Sequence, residues 1–305
     1  MRMSGENISM LPPAPQRQWT VITRLNGFIH GVILTRISTW YCKWTGLPPQ
    51  SSCIYYLPFN LVLKYSHAVR EDEAVAQSFA HSIGLPAPRV LSYGEREVWD
   101  HSIKRNFSYG SILMTRVSGQ VLDDCHESLE PSQLASIMSD IDSCLAAMRR
   151  YSSPWGSQVC SVLGGRVHGA RIVGGRNGPY PDSLAFNHDY IQYKQTERWE
   201  REPVEEVLGN AEMMNTLSAN HRIVFTHGDL LPHNILVRDG RLTAILDWEF
   251  SGWFPEYWEY TEMQRFSPRY FWSQQVVALP SYKYAAELKA SRAMWILASE
   301  SFNWW

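Results

Sequence analysis

The sequence has few of the features that mark secreted proteins, membrane-spanning proteins or proteins that bind metal through cysteines. Its five cysteines among 305 residues are odd in number and irregularly spaced, which argues against a disulfide framework and favours a reducing compartment. The longest uncharged stretch in the N-terminal part runs only from Leu25 to Thr35, which is too short to cross a bilayer. The first twenty residues are polar and proline-rich, without the apolar core of a signal peptide. We therefore expect a cytoplasmic protein with no membrane span.

Charge excess and glycine-rich phosphate loops are also missing. The 28 Lys and Arg residues nearly balance 30 Asp and Glu residues, for a formal net charge of -2, so we expect no nucleic-acid partner. The GxGxxG loop that covers nucleotide phosphates in protein kinases is absent, which leaves phosphate cover minimal or supplied from elsewhere. The hydrophobic content of 45% is sufficient for a full core. The sequence does not specify the oligomeric state.

The stretch 224–252 carries the strongest pattern in the chain. Asp239 and Gly240 separate two short apolar runs, which predicts a β-hairpin because both residues tolerate the positive φ of a tight turn. Such a hairpin brings Asn234, just before its first strand, and Asp247, just after its second, to the same end. Asp229 lies five residues ahead of Asn234. The pattern predicts two carboxylates and one carboxamide at the mouth of a hairpin.

This combination suits phosphoryl transfer. That chemistry needs a carboxylate to orient and deprotonate a hydroxyl, and hard oxygen ligands to hold Mg²⁺ on the nucleotide phosphates. Asp229 and Asn234 repeat the D-x-x-x-x-N spacing of kinases, and Asp247 stands where kinases have the Asp of Asp-Phe-Gly. We predict Asp229 as the base or orienter of the hydroxyl, and Asn234 and Asp247 as metal ligands. Glu249 either assists the metal or holds the loop. Each residue alone has a simpler reading, as a turn cap, a loop contact or a strand end, but the three spacings together favour a kinase-like site.

Two segments, HGDLLPHN (227–234) and ILDWEFSGWFPEYWEY (245–260), resemble the aminoglycoside phosphotransferase-like kinases, in particular their fungal type. The resemblance covers roughly residues 53–300. It implies an α+β, two-lobed protein-kinase-like fold, with a small antiparallel sheet in the N-lobe and a mostly helical C-lobe. It also implies ATP and Mg²⁺ as cofactors and a small-molecule acceptor bearing a hydroxyl: an amine, amino alcohol, sugar or secondary metabolite. We expect an N-terminal extension (1–50), an N-lobe (51–117) and a C-lobe (118–305).

A lysine and a glutamate upstream complete the predicted nucleotide site. Residues 53–66 read as strand, turn, strand with Lys64 in the second strand, and residues 69–82 read as a helix that contains Glu73. A strand lysine paired with a helix glutamate grips nucleotide phosphates in kinases, although a lone strand lysine more often extends into solvent. The choice of Glu73 over Glu71 follows from the family resemblance.

The adenine contacts are predicted only by resemblance. Residues 86–93 and 109–117 read as two further strands. The second ends where kinases have their hinge, so the backbone of Thr115 and Val117 would contact adenine, with Met114 near the ring. An ordinary core strand explains the same apolar residues equally well.

Four further segments have no assigned chemistry. Residues 33–44 have helical spacing, for which packing onto a lobe is favoured over a membrane-surface or partner-binding role. The pattern of residues 131–151 predicts an amphipathic core helix, and that of residues 282–302 predicts a final helix. The glycine-rich stretch 161–178 is predicted to form a surface loop.

The aromatic segment after the hairpin and the two histidines beside the site leave alternatives open. The aromatics are expected to pack, and Glu256, Glu259 or Glu262 could receive an ammonium group of the acceptor. His227 is expected to organise the loop, and His233 has no assigned role. The rival to an enzyme is a catalytically silent scaffold of the same fold, which the missing glycine-rich loop would suit.

Overall fold

The computed structural model describes residues 10–12, 20–47, 53–100, 104–172, 175–189, 217, 221–281 and 284–291. The chain divides into two compact units. We call Pro15–Glu127 with His233–Glu249 the N-terminal unit, and Met1–Ala14, Ser128–Pro232 and Phe250–Trp305 the C-terminal unit. Both contain helices and small antiparallel sheets. In the described residues no helix is long and apolar enough to cross a membrane.

The N-terminal unit is built on a four-stranded antiparallel sheet in the order β1-β2-β4-β3. Its strands are β1 (Ile54–Leu57), β2 (Leu61–Ser66), β3 (Val90–Asp100) and β4 (Arg105–Thr115). The last two form a longer hairpin than the predicted strands 86–93 and 109–117, because their pairing continues to Asp100 and Arg105 through a segment in which charged and polar residues interrupt the apolar ones.

Helix α3 (Glu71–Ser82), which follows β2, packs through small side chains. Ala74, Ala76 and Ala80 are buried, and Ala74 belongs to a core cluster with Tyr93 and Ile112 of the sheet. Three acidic residues occupy its first turn, where they suit the positive end of the helix dipole. This close approach is what brings a glutamate of the helix to the lysine of β2.

The N-terminal helix is longer than predicted and is interrupted. It runs as α1 (Thr20–Phe28), a π-helical segment (Ile29–Leu34) and α2 (Thr35–Thr45), where the sequence predicted only residues 33–44. It packs against β3, where the Asn26 side chain donates to the carbonyl of Tyr93 at 2.9 Å. A Cβ on Gly27 would lie 2.0 Å from the carbonyl oxygen of Glu95, so glycine permits this close packing.

The predicted Asp-Gly hairpin is confirmed. Strand β10 (Ile235–Arg238) pairs antiparallel with β11 (Arg241–Ile245), and the two turn residues have φ of 53° and 70°, the positive values the turn requires. The hairpin belongs to the N-terminal unit, because β5 (Gln120–Val121) extends its sheet and the N–H of Ile245 donates to the carbonyl of Pro86. The sequence placed it with residues 118–305; the division into three parts stays a prediction.

The C-terminal unit contains helix α5 (Pro131–Met148) and a three-stranded sheet in the order β6-β12-β9. Its strands are β6 (Cys160–Ser161), β9 (Ile223–Thr226) and β12 (Gly252–Pro255). Helix α5 is the predicted core helix, with Glu130 and Gln133 forming a capping box at its start. Further helices are α4 (Leu122–Cys125) in the N-terminal unit, and α6 (Trp258–Met263) and α7 (Phe271–Val277) in this unit.

Two expectations for this unit need comment. The glycine-rich stretch 161–178 is not a plain surface loop: β7 (Val167–His168) pairs with β8 (Arg176–Asn177), and Val167, Arg171 and Ile172 are buried. The sequence predicted a loop because the stretch is rich in glycine. Its two strands are short and contain too few apolar residues to give a strand pattern. The predicted final helix is helical at 285–291, and the rest of it lies outside the described residues.

Candidate active site

Lys64 is the centre of a buried ionic cluster in the N-terminal unit. Its ammonium lies 2.7 Å from Glu73 Oε1 and 2.9 Å from Asp247 Oδ1. Strand β2, helix α3 and the residue that follows the hairpin therefore meet at one side chain. The contact with Glu73 is the pair that the sequence predicts. Lys64 is only 8% exposed, so it does not extend into solvent as a lone strand lysine would.

Glu249 adds a third carboxylate to the two that pair with Lys64. Oxygens of Glu73, Asp247 and Glu249 lie within 4.8 Å of one another. Burial raises the pKa of Glu73 to about 7, with Asp247 and Glu249 adding to the rise and Lys64 opposing it. Burial disfavours the Lys64 ammonium, but its attraction to Glu73 and Asp247 outweighs this effect, so the pKa of Lys64 is raised. The Glu73 shift thus comes mainly from burial and the Lys64 shift from its two carboxylate partners. Three carboxylates beside one ammonium leave the cluster with an excess of negative charge.

This excess suits a divalent cation. The donors are hard carboxylate oxygens, which Mg²⁺ prefers. Among the described residues, Oε2 of Glu73 is buried and has no hydrogen-bond partner, which fits a cluster that lacks one positive charge. The predicted metal ligands Asp247 and Glu249 are brought together here. Glu73, which the sequence assigned to the lysine alone, lies in the same cluster.

The backbone around Asp247 is held in an uncommon conformation. Asp247 has a φ of 62°, a value that Asp and Asn tolerate better than other non-glycine residues. The next residue, Trp248, is fully buried, and its indole N–H donates to the carbonyl of Ile245 at 3.0 Å. Just before the opposite strand, the carbonyl of Asn234 accepts from the N–H of Leu246 at 2.8 Å. Asn234 and Asp247 thus lie at the same end of the hairpin, as predicted.

The predicted adenine contacts lie at the end of β4. The N–H of Thr115 donates to the carbonyl of Arg89 at 3.0 Å, so this N–H is already paired inside the protein. The sulfur of Met114 accepts from the Gln77 side chain at 3.2 Å. Val117 follows the strand and is half-buried.

The loop that carries Asp229 belongs to the C-terminal unit and is held by a glutamate of α6. Glu259 accepts from the backbone N–H of His227 at 2.5 Å and from that of Gly228 at 3.3 Å. The N–H of Asp229 donates to Nδ1 of His227 at 3.1 Å, and Ser251 donates to the carbonyl of His227. Gly228 has a φ of 82°, and a Cβ there would lie 2.5 Å from the carbonyl oxygen of Phe250. The contacts of His227 match its expected part in organising the loop.

Burial raises the pKa of Glu259 to about 7, because the two backbone N–H groups only partly offset the loss of water. Glu262 is also buried and accepts from Arg171 Nε at 2.6 Å, and Glu256 pairs with Arg222 at 3.4 Å. The three glutamates that the sequence offered to an ammonium group of the acceptor therefore already have internal partners. Their contact with an ammonium group of the acceptor stays a prediction.

Arg265 is the residue that the sequence missed. Its guanidinium lies 2.7 Å from Oδ1 of Asp229 and 3.7 Å from Glu262. Arg171 continues the line of alternating charges on the other side of Glu262. The local signal was the three-residue spacing of Glu262 and Arg265, which pairs helical side chains; nothing local points from Arg265 to Asp229, 36 residues away in the sequence (265 minus 229). Because Asp229 lies in the C-terminal unit, its predicted convergence with Asn234 and Asp247 stays a prediction.

The comparisons with known proteins agree with this geometry. The profile of the phosphotransferase enzyme family matches residues 61–288, a range that contains both the ionic cluster and the Asp229 loop. The chain belongs to the phosphotransferase enzyme family. No curated protein sequence matches it.

Solved structures show the same protein-kinase-like fold at low sequence identity. A thermostable mutant of aminoglycoside phosphotransferase APH(4)-Ia matches with a TM-score of 0.55 and 16% identity over 86% of this chain and 89% of that one. An inferred fructosamine-3-kinase of Haemophilus somnus 129PT matches with a TM-score of 0.52 and 12% identity over 78% and 75%. The GDP and kanamycin complex of APH(2")-IIia matches with a TM-score of 0.51 and 12% identity over 82% and 81%. The expected α+β kinase-like fold is thus confirmed, whereas the narrower expectation of a fungal type has no support in these matches.

Proposed function

We propose that this phosphotransferase transfers the γ-phosphoryl group of ATP to a hydroxyl group of a small molecule. The observation that carries the proposal is the joint contact of Lys64 with Glu73 and Asp247 inside a carboxylate cluster. A structural ion pair needs one carboxylate, and two would suffice to bury a lysine. A third carboxylate leaves negative charge unbalanced. This arrangement is expected of a nucleotide site that also holds a cation.

Each residue has a proposed role. Lys64, oriented by Glu73, binds the α- and β-phosphates. Asp247 and Asn234, assisted by Glu249, would hold Mg²⁺, which would neutralise charge on the phosphates. Asp229 orients the acceptor hydroxyl and takes its proton as the oxygen bonds to the γ-phosphorus and the bond to the ADP oxygen breaks. Loop contacts through Glu259 and the ion pair with Arg265 keep the Asp229 carboxylate in one orientation.

ATP is proposed as the donor and the cytoplasm as the location. Among the related structures, an APH(4)-Ia mutant with a TM-score of 0.50 is a complex with AMP-PNP and hygromycin B, and APH(2")-IIia is a complex with GDP and kanamycin. The carbonyl of Thr115 and the N–H of Val117 suit an adenine ring, which offers one donor and one acceptor, with Met114 beside it. Competition between ATP and GTP for binding tests the choice of nucleotide.

The acceptor class is proposed as an amine, amino alcohol, sugar or secondary metabolite with a free hydroxyl. A screen of such acceptors for ADP release, with the full chain and Mg·ATP, tests the proposal. We expect at least one acceptor to stimulate ADP release. A silent scaffold predicts no stimulation by any acceptor.

The Asp229→Asn variant separates the enzyme from the scaffold. It keeps the size of the side chain but removes the charge that takes the proton, so turnover should fall roughly 10²–10⁴-fold with ATP affinity nearly unchanged. Asp239→Asn is the matched control, because Asp239 lies in the exposed turn at the other end of the hairpin and should leave turnover unchanged. Equal rates in wild type and Asp229→Asn would contradict the assignment of Asp229.

A further inference from the structure

The N-terminal helix, residues 20–45, turns its large apolar side chains outward. Their exposed fractions run from 37% at Ile37 to 78% at Val21. A helix on the surface of a globular protein normally has the opposite orientation, with its apolar stripe facing the core. The exposed apolar residues of this helix are Val21, Ile22, Leu25, Phe28, Ile33, Ile37, Trp40 and Trp44.

These residues form one continuous stripe. Leaving out Ile22, which flanks Val21, their positions (21, 25, 28, 33, 37, 40 and 44) are separated by four, three, five, four, three and four residues. Steps of three and four keep side chains on one face of an α-helix. The single step of five, from Phe28 to Ile33, falls in the π-helical segment Ile29–Leu34, whose turns are wider than those of an α-helix. The π segment therefore keeps the stripe in line.

The opposite face is small or polar and is fixed to the sheet. Thr23, Gly27, His30, Ser38 and Cys42 are the buried residues of this helix. The ring nitrogens of His30 lie 2.9 Å from the hydroxyl of Ser111 and 3.0 Å from that of Ser92. Rotating the helix to bury its apolar stripe would break these bonds and would force a side chain into the contact at Gly27. The outward orientation of the stripe is thus set by specific packing.

Charge on this helix has one sign. Residues 20–47 contain Arg24, Arg36 and Lys43, all exposed, and no Asp or Glu, although the whole chain has a net charge of -2. At the C-terminal end, Trp40 and Trp44 stack with ring centroids 6.0 Å apart and are 65% and 74% exposed. Tryptophan and basic residues beside an apolar stripe are the composition of helices that lie in the headgroup region of a bilayer.

We propose that the N-terminal helix docks this protein on the surface of a bilayer that contains anionic lipids. The stripe would enter the boundary between headgroups and acyl chains, and the three basic residues would face lipid phosphate and carboxylate groups. A second copy of the chain fits less well, because pairing two such helices would bring three positive charges against three more with no acid on either. This proposal is independent of the phosphotransfer reaction.

Vesicle sedimentation with the full chain tests the proposal. The probes are vesicles of phosphatidylcholine alone and of phosphatidylcholine mixed with phosphatidylserine. We expect the protein to bind the mixed vesicles more strongly, and added salt to reduce that difference because it screens the lipid charge. Absence of binding to the mixed vesicles would overturn the proposal.

Two variants with matched controls locate the surface. Trp44→Ser should weaken binding to both vesicles about tenfold, because it removes a large apolar side chain from the lipid boundary. Trp99→Ser, at an exposed tryptophan outside the helix, should leave binding unchanged. Arg36→Gln should lower binding to the mixed vesicles alone, about fivefold, whereas the exposed Arg105→Gln should have no such effect. Circular dichroism and thermal melting verify that each variant folds.

The outcomes separate a bilayer from a second copy. Equal binding of wild type, Trp44→Ser and Arg36→Gln would overturn the assignment of this helix. A dimer in analytical ultracentrifugation that is lost in Trp44→Ser, without vesicle binding by the wild type, would overturn it in favour of self-association. If Trp44→Ser failed to fold, Arg36→Gln against Arg105→Gln would still decide the matter.

Discussion

Lys64 lies between two carboxylates with different surroundings. The Glu73 side chain is 2% exposed, whereas that of Asp247 is 37% exposed. Glu73 has little access to water and depends on Lys64 to keep its charge, while Asp247 is also stabilised by solvent. Substitution of Lys64 therefore affects the folded state as well as the nucleotide site.

We expect Lys64→Ala to weaken nucleotide binding and to destabilise the fold. Removal of one partner from a buried ion pair costs about 3–5 kcal/mol. The raised pKa of Glu73 sets the sign of the pH dependence: the cost is small where Glu73 is protonated, near pH 4.5, and grows as the pH rises through about 7. Urea unfolding at several pH values measures it.

The double variant Lys64→Ala/Glu73→Gln is the matched control. It removes the buried charge together with its partner, so stability should return while nucleotide affinity, measured by calorimetry, stays low. Equal stability of the single and double variants would contradict the dependence of Glu73 on Lys64. Normal nucleotide affinity in either variant would remove Lys64 from the nucleotide site.

At the scale of single residues, the sequence predicted those that belong to short sequence patterns. Lys64 follows from a strand and a helix in succession, the choice of Glu73 on that helix from the family resemblance, and Asn234 and Asp247 from the two ends of one hairpin. Arg265 was missed because its ion pair with Asp229 is set by tertiary packing. The internal partners of Glu259 and Glu262 were missed for the same reason, since an acidic residue looks the same in sequence whether it faces solvent or the core.

At the scale of elements, helix α6 and the Asp229 loop act as one piece. Glu259, near the start of α6, accepts two backbone N–H groups of the loop. The loop therefore needs a side chain with two acceptor oxygens at this position, and Glu259→Gln replaces one of them by an N–H donor. We expect this variant to lower turnover while nucleotide affinity is retained, because Glu259 holds the loop of the base and the Lys64 cluster belongs to the other unit.

The pH dependence of unfolding gives a second readout for Glu259. Because its pKa in the folded protein is raised to about 7 from an ordinary value of 4.5, Glu259 favours folding most at low pH, and that contribution is lost as the pH rises from 4.5 to about 7. The variant Glu259→Gln should lack this part of the pH dependence, no more than about 3 kcal/mol. Glu256→Gln, at a half-buried glutamate of the same segment, is the control. An unchanged pH dependence in Glu259→Gln would contradict the account.

Elements were predicted well where local chemistry defines them. The Asp-Gly turn identifies the hairpin, and apolar periodicity identifies α3 and α5. The π-helical segment and the short strands β7 and β8 escaped prediction, because neither has a pattern of its own and both depend on what they pack against.

At the scale of the molecule, the sequence predicted the kinase-like fold through two motifs that make up a small part of the chain. The residues of the hairpin lie in one compact unit with Lys64, and the Asp229 loop lies in the other. The contacts of this unit join residues that are far apart in the sequence, since β5 pairs with β10 and Asp247 contacts Lys64, and a division by sequence order does not represent such contacts.

The central claim is that the cluster around Lys64 binds Mg²⁺ and ATP. Asp247→Asn tests it most directly, because asparagine tolerates the positive φ at this position and removes only the charge. Isothermal titration calorimetry of wild type, Asp247→Asn and the turn control Asp239→Asn with Mg·ATP gives the answer. We expect Mg²⁺-dependent ATP binding in wild type and Asp239→Asn and its loss in Asp247→Asn, with all three melting as folded proteins. Unchanged Mg·ATP affinity in a folded Asp247→Asn variant would contradict the assignment.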